Sequence, residues 1–226
     1  MSKPIAVTVI VEGPTEQRFI QDVLAPYLGA KSVFMTPIIL SKPGQKGGDV
    51  RFVRAKNDIA RHLKQRADAY VSLLVDYYGI GNDWPGLDTV PPGASPSGIA
   101  AAICAATQSA IDAELADYRS DVRFLPHIAV HEFEALLFSE PATLASAIQV
   151  DQQRIDGIIQ ECGEPEAIDD SPNTAPSKRI EQLYSRFKKT SNGIAIARAI
   201  GIDRMRLACP VFNGWLERME LLTEDD

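Results

Sequence analysis

The run Ile5-Ala6-Val7-Thr8-Val9-Ile10-Val11 is almost continuously apolar and rich in β-branched residues, and it ends abruptly in Glu12-Gly13-Pro14-Thr15-Glu16. A strand without a polar face cannot leave one side in water, so this pattern demands a parallel sheet covered on both faces. Gly13 permits a sharp turn, and Pro14, with its fixed φ and no N–H, suits the first turn of a following helix. The turn sets Glu12 at the carboxyl end of a strand, the edge where open α/β sheets place their sites. The plain alternative is a solubilising loop carboxylate, but the same strand-then-acid arrangement recurs further along.

The pattern after this turn predicts a helix over 15–27, with Pro26 near its end, and a second strand over 32–40. Pro43-Gly44-Gln45-Lys46-Gly47-Gly48 reads as a loop and 50–66 as a basic helix. Ala69 to Asp76 is a third strand of the buried type, followed by a long Gly/Pro-rich loop over 77–96. Loops of that length are commonly functional. Ser97 is placed to cap a helix running to about Tyr118, 123–130 gives a fourth strand, and 131–138 a further helix. Alternating strands and helices predict an α/β fold with a mainly parallel four-stranded sheet flanked by helices. Beyond Glu140 the pattern is wholly helical and punctuated by prolines. The division expected is a core over 1–140 and a C-terminal helical subdomain over 141–226.

With 226 residues the chain can bury a substantial core. The three cysteines, Cys104, Cys162 and Cys209, are far apart, form no zinc-like pair and suggest a reducing cytoplasm. No apolar run approaches the length of a bilayer span and no signal peptide is evident, so a cytoplasmic protein is expected. The net charge of −7 argues against a generally basic nucleic-acid coat. Basic residues nevertheless concentrate between Lys42 and Arg66, and again in Lys178, Arg179, Arg186, Lys188 and Lys189. Such patches suit phosphate backbones or simply solvated helix faces.

In a parallel sheet all strands end at one edge, so their terminal acids converge. Glu12 ends the first strand, Asp76 the third, and His131-Glu132-Phe133-Glu134 follows the fourth. If 131–138 is an α-helix, Phe133, Leu136 and Leu137 form its packed stripe, while Glu132 and Glu134 point to different sides. Glu134 is then the preferred third ligand and Glu132 the reserve. Several carboxylates at one edge repel unless a cation intervenes, and hard oxygen donors favour Mg²⁺ or Mn²⁺ over zinc. Asp83 and Asp88 are possible extensions of this set, and Asp76 alone also reads as a strand-end cap. Lys178, in the helix opened by Ala175-Pro176-Ser177, is a candidate contact for a phosphate, since a helix start suits an anion. His62 and His127 have no companions that suggest a metal site. The aromatics of Asp76-Tyr77-Tyr78-Gly79 and Trp84 suit base stacking or the lining of the loop.

Val11-Glu12-Gly13-Pro14-Thr15-Glu16 resembles the first motif of Toprim domains, and Val75-Asp76 with its strand resembles their second. Together with His131-Glu132-Phe133-Glu134-Ala135-Leu136-Leu137-Phe138, Ala175-Pro176-Ser177-Lys178-Arg179-Ile180 and Cys209-Pro210-Val211-Phe212-Asn213-Gly214-Trp215-Leu216, the series resembles the bacterial domain-of-unknown-function family 4276 across nearly the whole chain. The resemblance implies a Toprim-like core related to nucleases of the overcoming-lysogenisation-defect type, in which an acidic cluster binds two divalent metals. It implies DNA or RNA as substrate and an ATPase partner in a phage-defence or mobile-element system; a homo-oligomer is also compatible. Residue by residue, it matches Glu12 and Glu16 to the first-motif acids, Asp76 to the first aspartate of Asp-x-Asp, Glu134 to a later acid, and Lys178 to a phosphate-contacting lysine. The departure is Tyr78, which stands where the second aspartate belongs; Asp83 or Glu132 would have to replace it to hold a second metal.

The leading expectation is therefore a metal-dependent phosphodiesterase acting on nucleic acid. The alternatives are a degenerate Toprim-like module that binds nucleic acid or a partner without cutting, and an enzyme on a small phosphorylated ligand. For the last, the loop over 44–48 would hold phosphate, although it lacks the Lys-Ser/Thr ending of a nucleotide-binding P-loop.

Overall fold

The computed structural model describes residues 4–41, 50–168 and 173–222. The loop expected over 43–48, the Asp169-Asp170 pair and the acidic tail lie outside them. Strand β1 (Ile5–Val11) leads through Gly13-Pro14 into α1 (Pro14–Phe19), a π-helical turn (Ile20–Leu24) and α2 (Ala25–Gly29). Next come β2 (Val33–Ile39), α3 (Phe52–Gln65), β3 (Ala69–Asp76), α4 (Pro96–Leu115), α5 (Ser120–Arg123) and β4 (Phe124–Ala129). The rest is helical: α6 (Pro141–Ile148), α7 (Gln152–Cys162), α8 (Pro176–Leu183), α9 (Ile194–Ile200), α10 (Ile202–Ala208) and α11 (Pro210–Glu220).

The four strands form one sheet in the order β2-β1-β3-β4, and every pairing is parallel. The prolines obey this order. Pro37 and Pro126 sit in β2 and β4, the two edge strands, where a missing N–H need not break a ladder. Both faces are covered, as the apolar runs require. Ile5, Val7, Val9 and Val11 of β1 share one apolar cluster with Phe19, Leu28 and residues of α6, α9, α10 and α11, including Trp215 and Leu216. On the other face Ile10, Val71, Leu73 and Val75 pack with Ile59 of α3 and Ile103 and Ile111 of α4. The helices after Glu140 thus complete the core of the first sheet face.

Three expectations are corrected. The helix after Pro14 is interrupted by the π turn. Pro26 offers no N–H to the Asp22 carbonyl, and Arg198 Nε donates to that oxygen at 3.2 Å instead. The segment expected to be an α-helix over 131–138 is a 3₁₀ helix (Phe133–Ser139), entered from an extended Glu132. Phe133, Glu134, Ala135, Leu137 and Phe138 are all buried, so this segment is enclosed nearly all round and has no solvent face to impose the 3.6-residue period. Finally, Pro96–Tyr118 does reach the length and mean hydropathy, 1.2, of a membrane span. Its alanines carry much of that hydropathy, while its Ala100, Ile103, Thr107, Ile111 and Leu115 stripe is buried. Four of these five are apolar at helical spacing, and α4 packs against β4.

Candidate functional site

The parallel register brings the strand-end acids together. Val11 lies opposite Leu74, so Glu12 emerges beside the last residues of β3, and Asp76, opposite Ala129 of β4, ends that strand. Asp76 is held well above the usual carboxylate range by burial and then, in order, by the charges of Glu16, Glu12, Glu134 and Glu132. Five carboxylates therefore share one edge. Burial also raises Glu16, against backbone hydrogen bonds at its own helix start and the Lys189 charge. Burial lifts Glu134 to about 7, although Lys189 opposes the shift.

Gly79 makes room for this cluster. A β-carbon there would stand 2.8 Å from Glu12 Oε2, so a glycine is what lets the chain after β3 close over the Glu12 carboxylate.

The cation on the cluster is Lys189. Its Nζ lies 2.5 Å from Glu132 Oε1 and 3.2 Å from Glu134 Oε2. Burial alone would lower its pKa, but Glu134 and Glu132 override this and hold it above the ordinary lysine value. Lys189 opens a π-helical turn (Lys189–Gly193), and Arg18 of α1 donates to the neighbouring Thr190 carbonyl at 3.1 Å. Glu132 is held below the usual range: Lys189 and the Ser177 hydrogen bonds outweigh its burial. The Ser177 N–H, at the start of α8, donates to Glu132 Oε2 at 3.1 Å. The anion expected at that helix start is thus the protein's own Glu132.

Glu12, Asp76 and Glu134 are brought together as the strand-end argument expects, and Glu16 of α1, matched only through the Toprim resemblance, is close enough for its charge to act on Asp76. Glu132 joins them: entering from extended backbone, it meets the same ammonium as Glu134 rather than pointing away. Lys178 lies elsewhere, 2.7 Å from Glu181 in an exposed ion pair. Asp83 accepts from Val53 N–H at 3.5 Å near the start of α3, and Asp88 is exposed in its own short turn. His127 is stacked on Trp215 with ring centroids 4.5 Å apart, and burial and the Arg218 charge lower it to about 3, so it stays neutral. Trp84 lines the loop after β3, where its Nε1 donates to Thr107 at 2.9 Å. Lys189 had a sequence signal, membership of the second basic cluster, but nothing there distinguished it from Lys178.

A cavity at the cluster is lined by Glu16, Asp76, His131, Glu132 and Glu166 together with Phe19, Phe212 and Trp215. The donor set suits a hard divalent cation: all oxygen, with Glu134 Oε1 buried and lacking a hydrogen-bond partner among the described residues. Among the described residues, however, no three acids, histidines or cysteines form a ready ligand set. Lys189 occupies the position from which Glu132 and Glu134 are bridged, so binding a metal requires these side chains to readjust.

No curated protein matches this sequence. Among solved structures, the C-terminal region of the Burkholderia pseudomallei OLD protein matches at 13% identity with a TM-score of 0.44, over 94% of this chain and 96% of that one. The family model described as a domain of unknown function (DUF4276) matches residues 11–220, and the chain belongs to that family.

Proposed function

We propose that this chain is a divalent-metal-dependent nuclease of the Toprim type, with Glu12, Asp76 and Glu134 as ligands for Mg²⁺ or Mn²⁺. The observation that carries the reading is the electrostatic surplus at the sheet edge, where Asp76 feels four other carboxylates and Lys189 is the cation bonded to two of them. Such a surplus is costly in a folded protein unless it serves to attract a cation. A divalent ion there would supply an activated water and neutralise charge developing on a phosphate. Glu16 adds to the field that draws the cation. Lys189, rather than Lys178, is the lysine positioned to meet a phosphate, once its carboxylate partners turn towards metal. Gly79 lets the chain after β3 lie against the Glu12 carboxylate without a side chain displacing it. DNA or RNA as substrate, and an ATPase partner in a phage-defence or mobile-element system, are supported by the resemblance of the ordered sequence motifs.

The test is cleavage of labelled single- and double-stranded DNA and RNA with Mg²⁺ or Mn²⁺, alone and with the ATPase encoded nearest to it. Metal-dependent cutting that disappears in Glu12→Ala and Asp76→Ala is the expected result. Tyr78, in place of the second aspartate, favours a second reading, a nucleic-acid-binding module that does not cut. Binding without cleavage under every condition would select it.

A further inference from the structure

We propose that Tyr78 is a stacking platform for an unpaired nucleobase of a strand held at the acidic edge, an inference that rests on the nuclease reading above. Tyr78 sits two residues after Asp76, in a 3₁₀ turn (Tyr77–Gly79) whose last residue abuts Glu12. Its ring is fixed from within. One face stacks on His131, at 5.4 Å between centroids and 23° between planes, and Tyr77 braces it edge-on at 5.1 Å. His131 is itself buried and lines the cavity with Asp76 and Glu132. Yet Tyr78 remains 53% exposed, whereas Trp84 in the same loop is buried. An aromatic that served only to line the loop would be buried as Trp84 is. A braced ring that is half exposed, within two residues of the proposed metal ligand Asp76, has the form of a base-stacking surface.

Val50 exchanges backbone hydrogen bonds with Gly79 and Gly81, at 3.0 and 2.8 Å, which fixes the turn that carries Tyr78. Stacking needs an unpaired base and is indifferent to which base it is, so the class of ligand is single-stranded or frayed nucleic acid with little sequence preference.

The experiment measures fluorescence anisotropy of a labelled 12-nucleotide single strand and of its duplex, in Ca²⁺, with wild type, Tyr78→Ala and Tyr78→Phe. A parallel strand carrying 2-aminopurine reports stacking by quenching, and the same preparations are assayed for cleavage in Mn²⁺. Wild type should prefer the single strand and quench the probe. Tyr78→Ala should bind the single strand about tenfold more weakly without quenching, and Tyr78→Phe should retain both properties. Wild-type affinity and quenching in Tyr78→Ala, with cleavage intact, would overturn the stacking role while leaving the nuclease reading in place. A wild type that neither binds nor cuts any of these nucleic acids would overturn both.

Discussion

Lys189 Nζ stands 3.2 Å from Oε2 of Glu134, a carboxylate only 1% exposed that comes from a segment more than fifty residues earlier in the chain. The pair ties the 3₁₀ segment after β4 to the π turn before α9, and it places a positive charge where five acids meet. Replacing Lys189 by Met should leave Glu134 and Glu132 uncompensated at pH 8. Breaking a buried pair costs roughly 3–5 kcal/mol; because Lys189 is itself 37% exposed, about 1–3 kcal/mol is expected here. Urea unfolding at pH 8 and pH 5.5 measures this. The loss should shrink at the lower pH, where Glu134 is protonated; an equal loss at both would make Lys189 a packing residue only.

The raised carboxyls predict an inverse dependence of stability on pH. Burial lifts Glu166 to about 7, against hydrogen bonds from Val211 and Phe212, and lifts Glu134 to a similar value. Both titrate near 4.5 in the unfolded chain. Between about pH 4.5 and 7 the folded state therefore binds more protons than the unfolded one, so stability falls as pH rises through this window. The contribution is full below the unfolded value and lost above the folded one. Thermal melts in EDTA from pH 5 to pH 8 should show a declining midpoint, and a rising one would contradict the assignment.

Much of this arrangement was legible in the residues. The near-continuous apolar runs over 5–11 and 69–76 marked two strands by their lack of a polar face, and parallel topology then forced Glu12 and Asp76 to one edge whatever the details of packing. What could not be read was the conformation of 131–138. His-Glu-Phe-Glu-Ala-Leu-Leu-Phe carries a plausible helical stripe, yet the segment is enclosed on nearly every side, and periodicity says nothing about an element without a solvent face. That single difference brings Glu132 round to the ammonium it shares with Glu134. Lys189 escaped for a related reason. Its role depends on tertiary contacts across the chain, including the Arg18 bond to Thr190, and basic residues at Lys178 and Lys189 look alike in sequence.

Glu166 illustrates a role no motif announced. Its two oxygens accept from Val211 and Phe212 N–H at 2.8 and 2.9 Å and so cap α11, whose Trp215 donates to Ser72 inside the sheet. Glu166→Ala removes the acceptors of one partly buried and one buried amide at a helix start. It should destabilise the chain by about 1–2 kcal/mol, measured by urea unfolding near pH 7. Metal-induced thermal shifts should be unchanged, because both Glu166 oxygens are engaged by the Val211 and Phe212 N–H groups.

Gly79→Ala separates the site from the fold. The added methyl would approach Glu12 Oε2 to 2.8 Å, but that oxygen is the far end of a flexible side chain and can swing aside. Gly79 also has no left-handed backbone to strain, since among the described residues the glycines with positive φ are Gly86, Gly93, Gly163 and Gly201. The metal-free variant should therefore unfold within about 0.5 kcal/mol of wild type, as surface substitutions do. Its Glu12 carboxylate, pushed from the strand end, should bind Mn²⁺ less well. The midpoint rise that saturating Mn²⁺ gives wild type should be visibly smaller in the variant, read by calorimetry with and without the ion. An undiminished rise would remove Glu12 from the ligand set, whereas a large loss of stability without metal would mean that Gly79 serves the fold rather than the acid beside it.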